Sequence, residues 1–200
     1  IRLESAGLEG QVFDWGELTG LRLPLLGRHQ LCNAAVALTA IRVLQARGWA
    51  ITDSHIRRGL ASTDWPGRFQ IIGRDPLFII DGGHNPQCMG AIRQALEELY
   101  PGKKILFLVG VLEDKDYHAM MGQLLPLARA FITITPDSQR ALQAQALADY
   151  LRGEGAEAHS CETVEQGMEK ALSMAGPEDV VCVCGSLYMI GEARHVLGLC

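Results

Sequence analysis

The pattern of apolar and polar positions changes period along this chain. Over the first 25 residues, "IRLES", "QVFDW" and "LRLPL" are separated by glycine-containing turns, which predicts short strands in a meander at the edge of a sheet. Leu31, Ala34, Ala35, Leu38, Ile41 and Leu44 then recur at helical spacing, and Gly48 stops the run. A second short helix follows, with Thr52 or Asp53 as its cap and "SHIRRGLAS" as its body. "TDWPGR" breaks the pattern. Its Pro66-Gly67 pair is a turn signal and the candidate domain boundary, and Trp65 beside it reads as a packing residue.

From Arg68 onward the rhythm is βαβα. "RFQIIG", "LFIID", "KKILFLVG", "AFITIT", "AEAHS" and "DVVCVCG" read as strands. Between and after them, "PQCMGAIRQALEELY", "YHAMMGQLLPLA", "ALQAQALADYLRGEG", "TVEQGMEKALSMA" and "LYMIGEARHVLG" read as helices, the second broken near Pro126. Runs such as "ILFLV" and "VVCVC" do not alternate, which suits strands covered on both faces in a parallel sheet. The expected fold is therefore α/β: a mostly parallel, doubly wound sheet with helices on both faces, preceded by a β-meander and helices.

Composition narrows the partners. Of 200 residues 48% are hydrophobic and 20% charged, a globular balance. The net charge of −5 argues against broad binding to nucleic acid. The six cysteines show no metal or disulfide spacing, and Cys182 and Cys184 read as buried thiols on one face of a strand. With no signal peptide and no apolar span of about 20 residues, the expected setting is cytoplasmic, away from membranes. The chain opens without an initiator Met or a capped first element, which reads as a piece of something longer.

In an open α/β sheet, ligands bind beyond the carboxyl ends of the strands. The segments following the apolar strands are "DGGHNP", "GVLEDKD", "PDSQRAL" and "GSLYMIGEAR". Ordinary βα loops also need glycine, Asp and Ser, but four such loops enriched together point to a site. Asp81 falls several residues before Pro86, which leaves it at the strand end, free to accept hydrogen bonds from a ribose or to reach a metal. His84, between glycines and Asn85, is a candidate ligand contact. Ser186 falls near the start of the last helix, where it reads as an N-cap, as part of a helix N-terminus that attracts carboxylate or phosphate, or as both. Lys115 is a candidate anion contact or part of a solvated charge cluster. Neither a G-x-x-x-x-G-K-[ST] phosphate loop nor a G-x-G-x-x-G pattern occurs.

"GRHQLCNAAVAL", "WPGRFQII", "DGGHNP", "GVLEDKD" and "CGSLYMIGEAR", in this order, resemble the C-terminal half of the bacterial folylpolyglutamate synthase/dihydrofolate synthase family, a branch of the Mur ligases. That family usually reads D-G-A-H-N-P, so Gly83 stands where an alanine is usual. The resemblance implies that residues 1–65 are the tail of a central ATPase domain and 66–200 a Rossmann-like glutamate ligase domain, with "TDWPGR" as the hinge. It implies ATP-binding roles for Asn33, Arg68 and Asp81 and glutamate-binding roles for His84 and Ser186. It also implies ATP, Mg²⁺, L-glutamate and a folate or dihydropteroate as cofactors and substrates. The Mg²⁺ ligands are expected mainly in a missing N-terminal part, the full-length enzyme is expected to be a monomer, and this piece alone is expected to be inactive. The alternatives are another Mur-type amino-acid ligase and a non-catalytic nucleotide-binding module.

Overall fold

The computed structural model describes residues 1–199 and divides the chain into two compact units, one spanning Ile1–Pro66 and the other beginning at Gly67. In the first unit, β1 (Arg2–Gly7), β2 (Gly10–Trp15) and β3 (Leu18–Leu23) form an antiparallel sheet in the order β1-β2-β3. Among the described residues these strands make a sheet of their own rather than the edge of a larger one. Helix α1 (Arg28–Ala46) ends just before Gly48, which takes the left-handed conformation at φ +89°. Helix α2 (Asp53–Ala61) starts at Thr52, whose hydroxyl accepts from the His55 N–H while the His55 ring reaches back to the Thr52 N–H. Phe13, Leu21 and Leu23 from the sheet meet Leu31, Leu38 and Ile56 from the helices in one core.

The second unit runs β4 (Gln70–Arg74), β5 (Leu77–Ile80), α3 (Pro86–Leu99), β6 (Ile105–Val109), α4 (Tyr117–Leu124), β7 (Ala128–Thr133), α5 (Ala144–Gly153), β8 (Ala158–Ser160), α6 (Val164–Met174), β9 (Val180–Cys184) and α7 (Leu187–Val196). The sheet order is β4-β5-β9-β6-β7-β8. Every pairing is parallel except β4 with β5, a hairpin. The strict βα alternation therefore begins at β5, not at Arg68.

Connection handedness explains where the helices go. The crossovers through α3, α4 and α5 step the chain one way across the sheet, and the crossover through α6 steps it back so that β9 enters between β5 and β6. Since such crossovers are right-handed, α6 lies on the face opposite α3, α4 and α5. On the α6 face, Ile80, Leu108, Ile132 and Val183 pack under Met168 of α6 and Ile190 of α7. The alternate positions Ile79, Phe107, Phe131 and Cys182 point to the other face and are fully buried.

One helix boundary differs from the sequence pattern, and one break falls where Pro126 predicts it. The segment expected to be helical from Ala141 starts at Ala144, because Ala141 pairs with Leu112 and the Leu142 N–H donates to the Val111 carbonyl. Tertiary pairing between two loops outcompetes the local helical period there. The helix before Pro126 ends at Leu124 and tightens into a 3₁₀ turn over Leu125–Leu127.

Candidate active site

Strands β5 and β9 are neighbours whose following helices leave to opposite faces. This is the topological switch point of the sheet, where an α/β fold opens a crevice. The loops that gather there are tied by their backbones. The Asp81 N–H donates to the Val183 carbonyl at 2.9 Å, and the Gly185 N–H donates to the Gly83 carbonyl at 3.0 Å. Gly185 sits at φ +118°, and a Cβ there would lie 2.5 Å from the Gly110 carbonyl oxygen. Only glycine lets the loops after β9 and β6 come this close.

Asp81 is buried and does more locally than its sequence position suggested. Its Oδ1 accepts from the Gly83 N–H at 2.7 Å and its Oδ2 from the Phe69 N–H at 2.8 Å. Both oxygens thus hold backbone, a structural task in addition to the ligand role expected at the strand end. The reason is visible at Phe69, which is 1% exposed and has φ +43°. A left-handed conformation costs a bulky residue about 1–3 kcal/mol. A hydrogen bond to a carboxylate contributes about 1.5–3 kcal/mol, and burying a phenylalanine side chain a similar amount. The two together outweigh the strain.

Arg68, between Gly67 and Phe69, is half-buried. Its Nη1 lies 2.7 Å from where a Gly82 Cβ would stand, and Leu187 at the start of α7 crowds the same spot. The guanidinium thus lies over the first glycine of "DGGHNP". Gly83 is less constrained. A Cβ there would stand 2.9 Å from the Ile92 Cδ1, 3.0 Å from the Asp81 Oδ1 and 3.1 Å from the Cys88 Cβ, so an alanine needs the end of the Ile92 side chain to yield.

His84 is half-buried, with Nδ1 3.0 Å from the Gly82 carbonyl oxygen. A carbonyl only accepts, so the neutral ring carries its proton on Nδ1 and leaves the Nε2 lone pair as an acceptor. Asn85 is the N-cap of α3: its Oδ1 accepts from the Cys88 N–H at 2.8 Å, and Pro86 occupies the first turn, where no N–H is needed. Ser186, 1% exposed, caps α7 by accepting the Tyr188 N–H at 3.3 Å. The N-termini of α3 and α7 therefore both open at this edge, and each favours negative charge.

Lys115 follows β6, the neighbour of β9. Its Nζ lies 3.7 Å from the Asp114 carboxylate, which also accepts from Arg140 at 3.1 Å. Asn33 lies on α1 in the first unit, exposed, with its amide donating to Gln30 Oε1 at 3.0 Å. The second unit thus brings Arg68, Asp81, His84 and Ser186 to one edge, with Lys115 on a nearby loop. Cys182 is no nucleophile: its hydrogen bond with Cys184, followed by burial, pushes its thiol well up. No motif marks Gln70 as a site residue in the sequence. Its Oε1 accepts from the Gly67 N–H at 3.0 Å and from Arg194 at 2.7 Å, a role that local pattern does not signal.

Comparison with known proteins agrees with this architecture. Residues 67–187 match the Mur ligase, glutamate ligase domain. A probable bifunctional folylpolyglutamate synthase/dihydropteroate synthase of Halobacterium salinarum is 38% identical over 90% of this chain and 21% of its own length. The dihydrofolate synthase/folylpolyglutamate synthase of Escherichia coli is 32% identical over 92% of this chain and 43% of its own length. The solved structure of E. coli FolC in complex with DHPP and ADP superposes with a TM-score of 0.83 at 30% identity, covering 97% of this chain and 45% of that one. The chain spans less than half the length of these relatives. It belongs to the Mur ligase family, and it carries that family's glutamate ligase domain.

Proposed function

We propose that this chain supplies the glutamate-ligase side of an ATP-dependent ligase that joins L-glutamate to a folate or dihydropteroate. In the reaction, a substrate carboxylate attacks the γ-phosphorus of ATP and releases ADP. The glutamate amine then attacks the acyl carbon, loses a proton, and displaces phosphate. Residues 1–65 act as the end of the ATPase domain and residues 66–200 as the glutamate ligase domain.

The observation that carries this reading is the convergence at the switch point of a fixed cation, an acceptor nitrogen and two helix N-termini. Arg68 suits the nucleotide's phosphates, because a guanidinium stays charged and binds oxyanions in a forked geometry. The His84 Nε2 offers an acceptor to the protons of the incoming amine, and the α7 N-terminus at Ser186 suits a glutamate carboxylate. Asn33, on α1, is a further candidate nucleotide contact, and Lys115 a further anion contact. The ADP in the E. coli complex supports the nucleotide assignment. Mg²⁺, when bound, would offset charge on the phosphates. Among the described residues no group of three or more His, Cys, Asp or Glu could hold a metal ion. The net charge of −5 supports small-molecule partners.

The test is a pair of variants in the full-length enzyme. Arg68→Ala should lower kcat/KM for ATP by about 10–100-fold, the loss of one charge-assisted hydrogen bond. His84→Ala should lower kcat/KM for L-glutamate and leave KM for ATP unchanged. Both variants should keep the wild-type circular dichroism spectrum. Wild-type kinetics in both would remove the functional reading of this edge.

A further inference from the structure

We propose that Gln70 is a positioning residue for Arg68, acting through the backbone of the loop that carries it. The inference rests on the reading of Arg68 as a phosphate contact, and its test separates the two.

Arg68 lies between two residues in the left-handed region, Gly67 at φ +73° and Phe69 at φ +43°. Such a segment holds one shape only if its surroundings fix it. The loop after β5 fixes both peptide planes that flank Arg68. The Gly67 carbonyl accepts from the Gly82 N–H at 2.8 Å, and the Phe69 N–H donates to Asp81 Oδ2 at 2.8 Å. Gln70 fixes the plane before these. Its Oε1 takes the Gly67 N–H on one lone pair and Arg194 Nη1 on the other. Arg194 stands in the last turn of α7 and also donates to the Leu199 carbonyl at 2.6 Å. One amide oxygen thus ties the start of the Arg68 loop to the helix whose N-terminus opens at the same edge.

Removing that oxygen leaves the N–H of buried Gly67 without this acceptor and releases the loop from α7. The left-handed turn at Gly67 then loses one of its two restraints, and the guanidinium no longer has a fixed place over Gly82. A misplacement of about 1 Å in an oriented group costs up to about 100-fold in rate. His84 is held by the Gly82 carbonyl rather than by Gln70, and Arg194 stands at the opposite end of α7 from Ser186, so the effect should fall on the nucleotide and spare the glutamate.

The experiment uses the full-length enzyme with Gln70→Met and Gln70→Ala, which lack the acceptor, and Gln70→Glu, which keeps it. Steady-state kinetics against ATP and against L-glutamate are read for each variant, for Arg68→Ala, and for the double variant Arg68→Ala/Gln70→Met. Gln70→Met and Gln70→Ala should raise KM for ATP by about 10-fold or more while KM for L-glutamate stays at its wild-type value. Gln70→Glu should restore ATP kinetics, and the double variant should be no worse than Arg68→Ala alone. Wild-type ATP kinetics in a folded Gln70→Met or Gln70→Ala, beside an impaired Arg68→Ala, would overturn the positioning role and leave the functional reading standing. A double variant whose losses multiply would also overturn it, as would equal rises in both KM values. Wild-type kinetics in Arg68→Ala would remove the functional reading and this inference with it.

Discussion

Truncating Asp81 to alanine removes the acceptor from two buried backbone N–H groups at once, those of Phe69 and Gly83. Each group so stranded costs about 1–3 kcal/mol. The left-handed turn at Phe69 would lose the hydrogen bond that holds it, so the segment should open locally before the sheet does. In the full-length protein, hydrogen exchange should show the Phe69 and Gly83 amides losing protection in Asp81→Ala, with the amides of β6 and β9 unchanged. Retained protection at Phe69 would show that the ring's burial alone fixes the turn. At this scale the sequence was legible where chemistry is local. Pro86 and the Ser186 cap are readable from short-range spacing, and the carboxylate, imidazole and amide of "DGGHNP" stand out after a buried strand. The partner of Asp81 was not legible. Phenylalanine is a poor left-handed residue, and what stabilises it there is a carboxylate 12 positions away, beyond the reach of any turn signature.

At the scale of elements, the two ends of the strands differ: the carboxyl ends gather the loops of the candidate site, and the amino ends carry an ion pair. At the amino ends of the strands, Arg129 on β7 donates to Asp179 at 2.6 Å, and Asp179 also accepts from the Gly176 N–H at 2.8 Å just before β9. The Gly176 N–H, and then Arg129, hold the Asp179 carboxyl below its ordinary 3.8. A depressed native pKa contributes stability that is complete above the unfolded value and is lost as pH falls through the folded one. Asp179→Asn should therefore melt below the wild type at pH 7. The gap should persist down to about pH 4 and narrow below it, as wild-type Asp179 takes up its proton. A gap constant from pH 7 to pH 2 would show that the carboxylate charge contributes nothing. The same scale explains why the α5 boundary was misread. Its periodicity extends back to Ala141, yet the pairing of Ala141 with Leu112 claims that residue first. Long-range pairing leaves no trace in a helical repeat.

For the whole molecule, the apolar strand runs and alternating helices made a parallel α/β sheet legible, because burial on both faces removes the alternation a half-exposed strand keeps. The entry of β9 between β5 and β6 was not legible, since neighbouring strands in space are not neighbours in sequence. That placement brings "DGGHNP" beside "GSLY" and makes the crevice. The crevice supplies a cation, an acceptor and helix ends, but acyl-phosphate chemistry also needs a cradle for the β- and γ-phosphates and ligands for a divalent cation. The sequence contains no G-x-x-x-x-G-K-[ST] loop, and the described residues include no cluster of three or more His, Cys, Asp or Glu placed to hold a metal ion. Arg68 can offset phosphate charge, but alone it cannot orient the γ-phosphorus for in-line attack. The isolated 200-residue chain, folded by circular dichroism, should therefore release no ADP and form no glutamyl conjugate from ATP, L-glutamate and dihydropteroate. The full-length enzyme under the same conditions should do both. Conjugate made by the isolated chain, detected by chromatography, would mean that these 200 residues hold a complete phosphate site of their own.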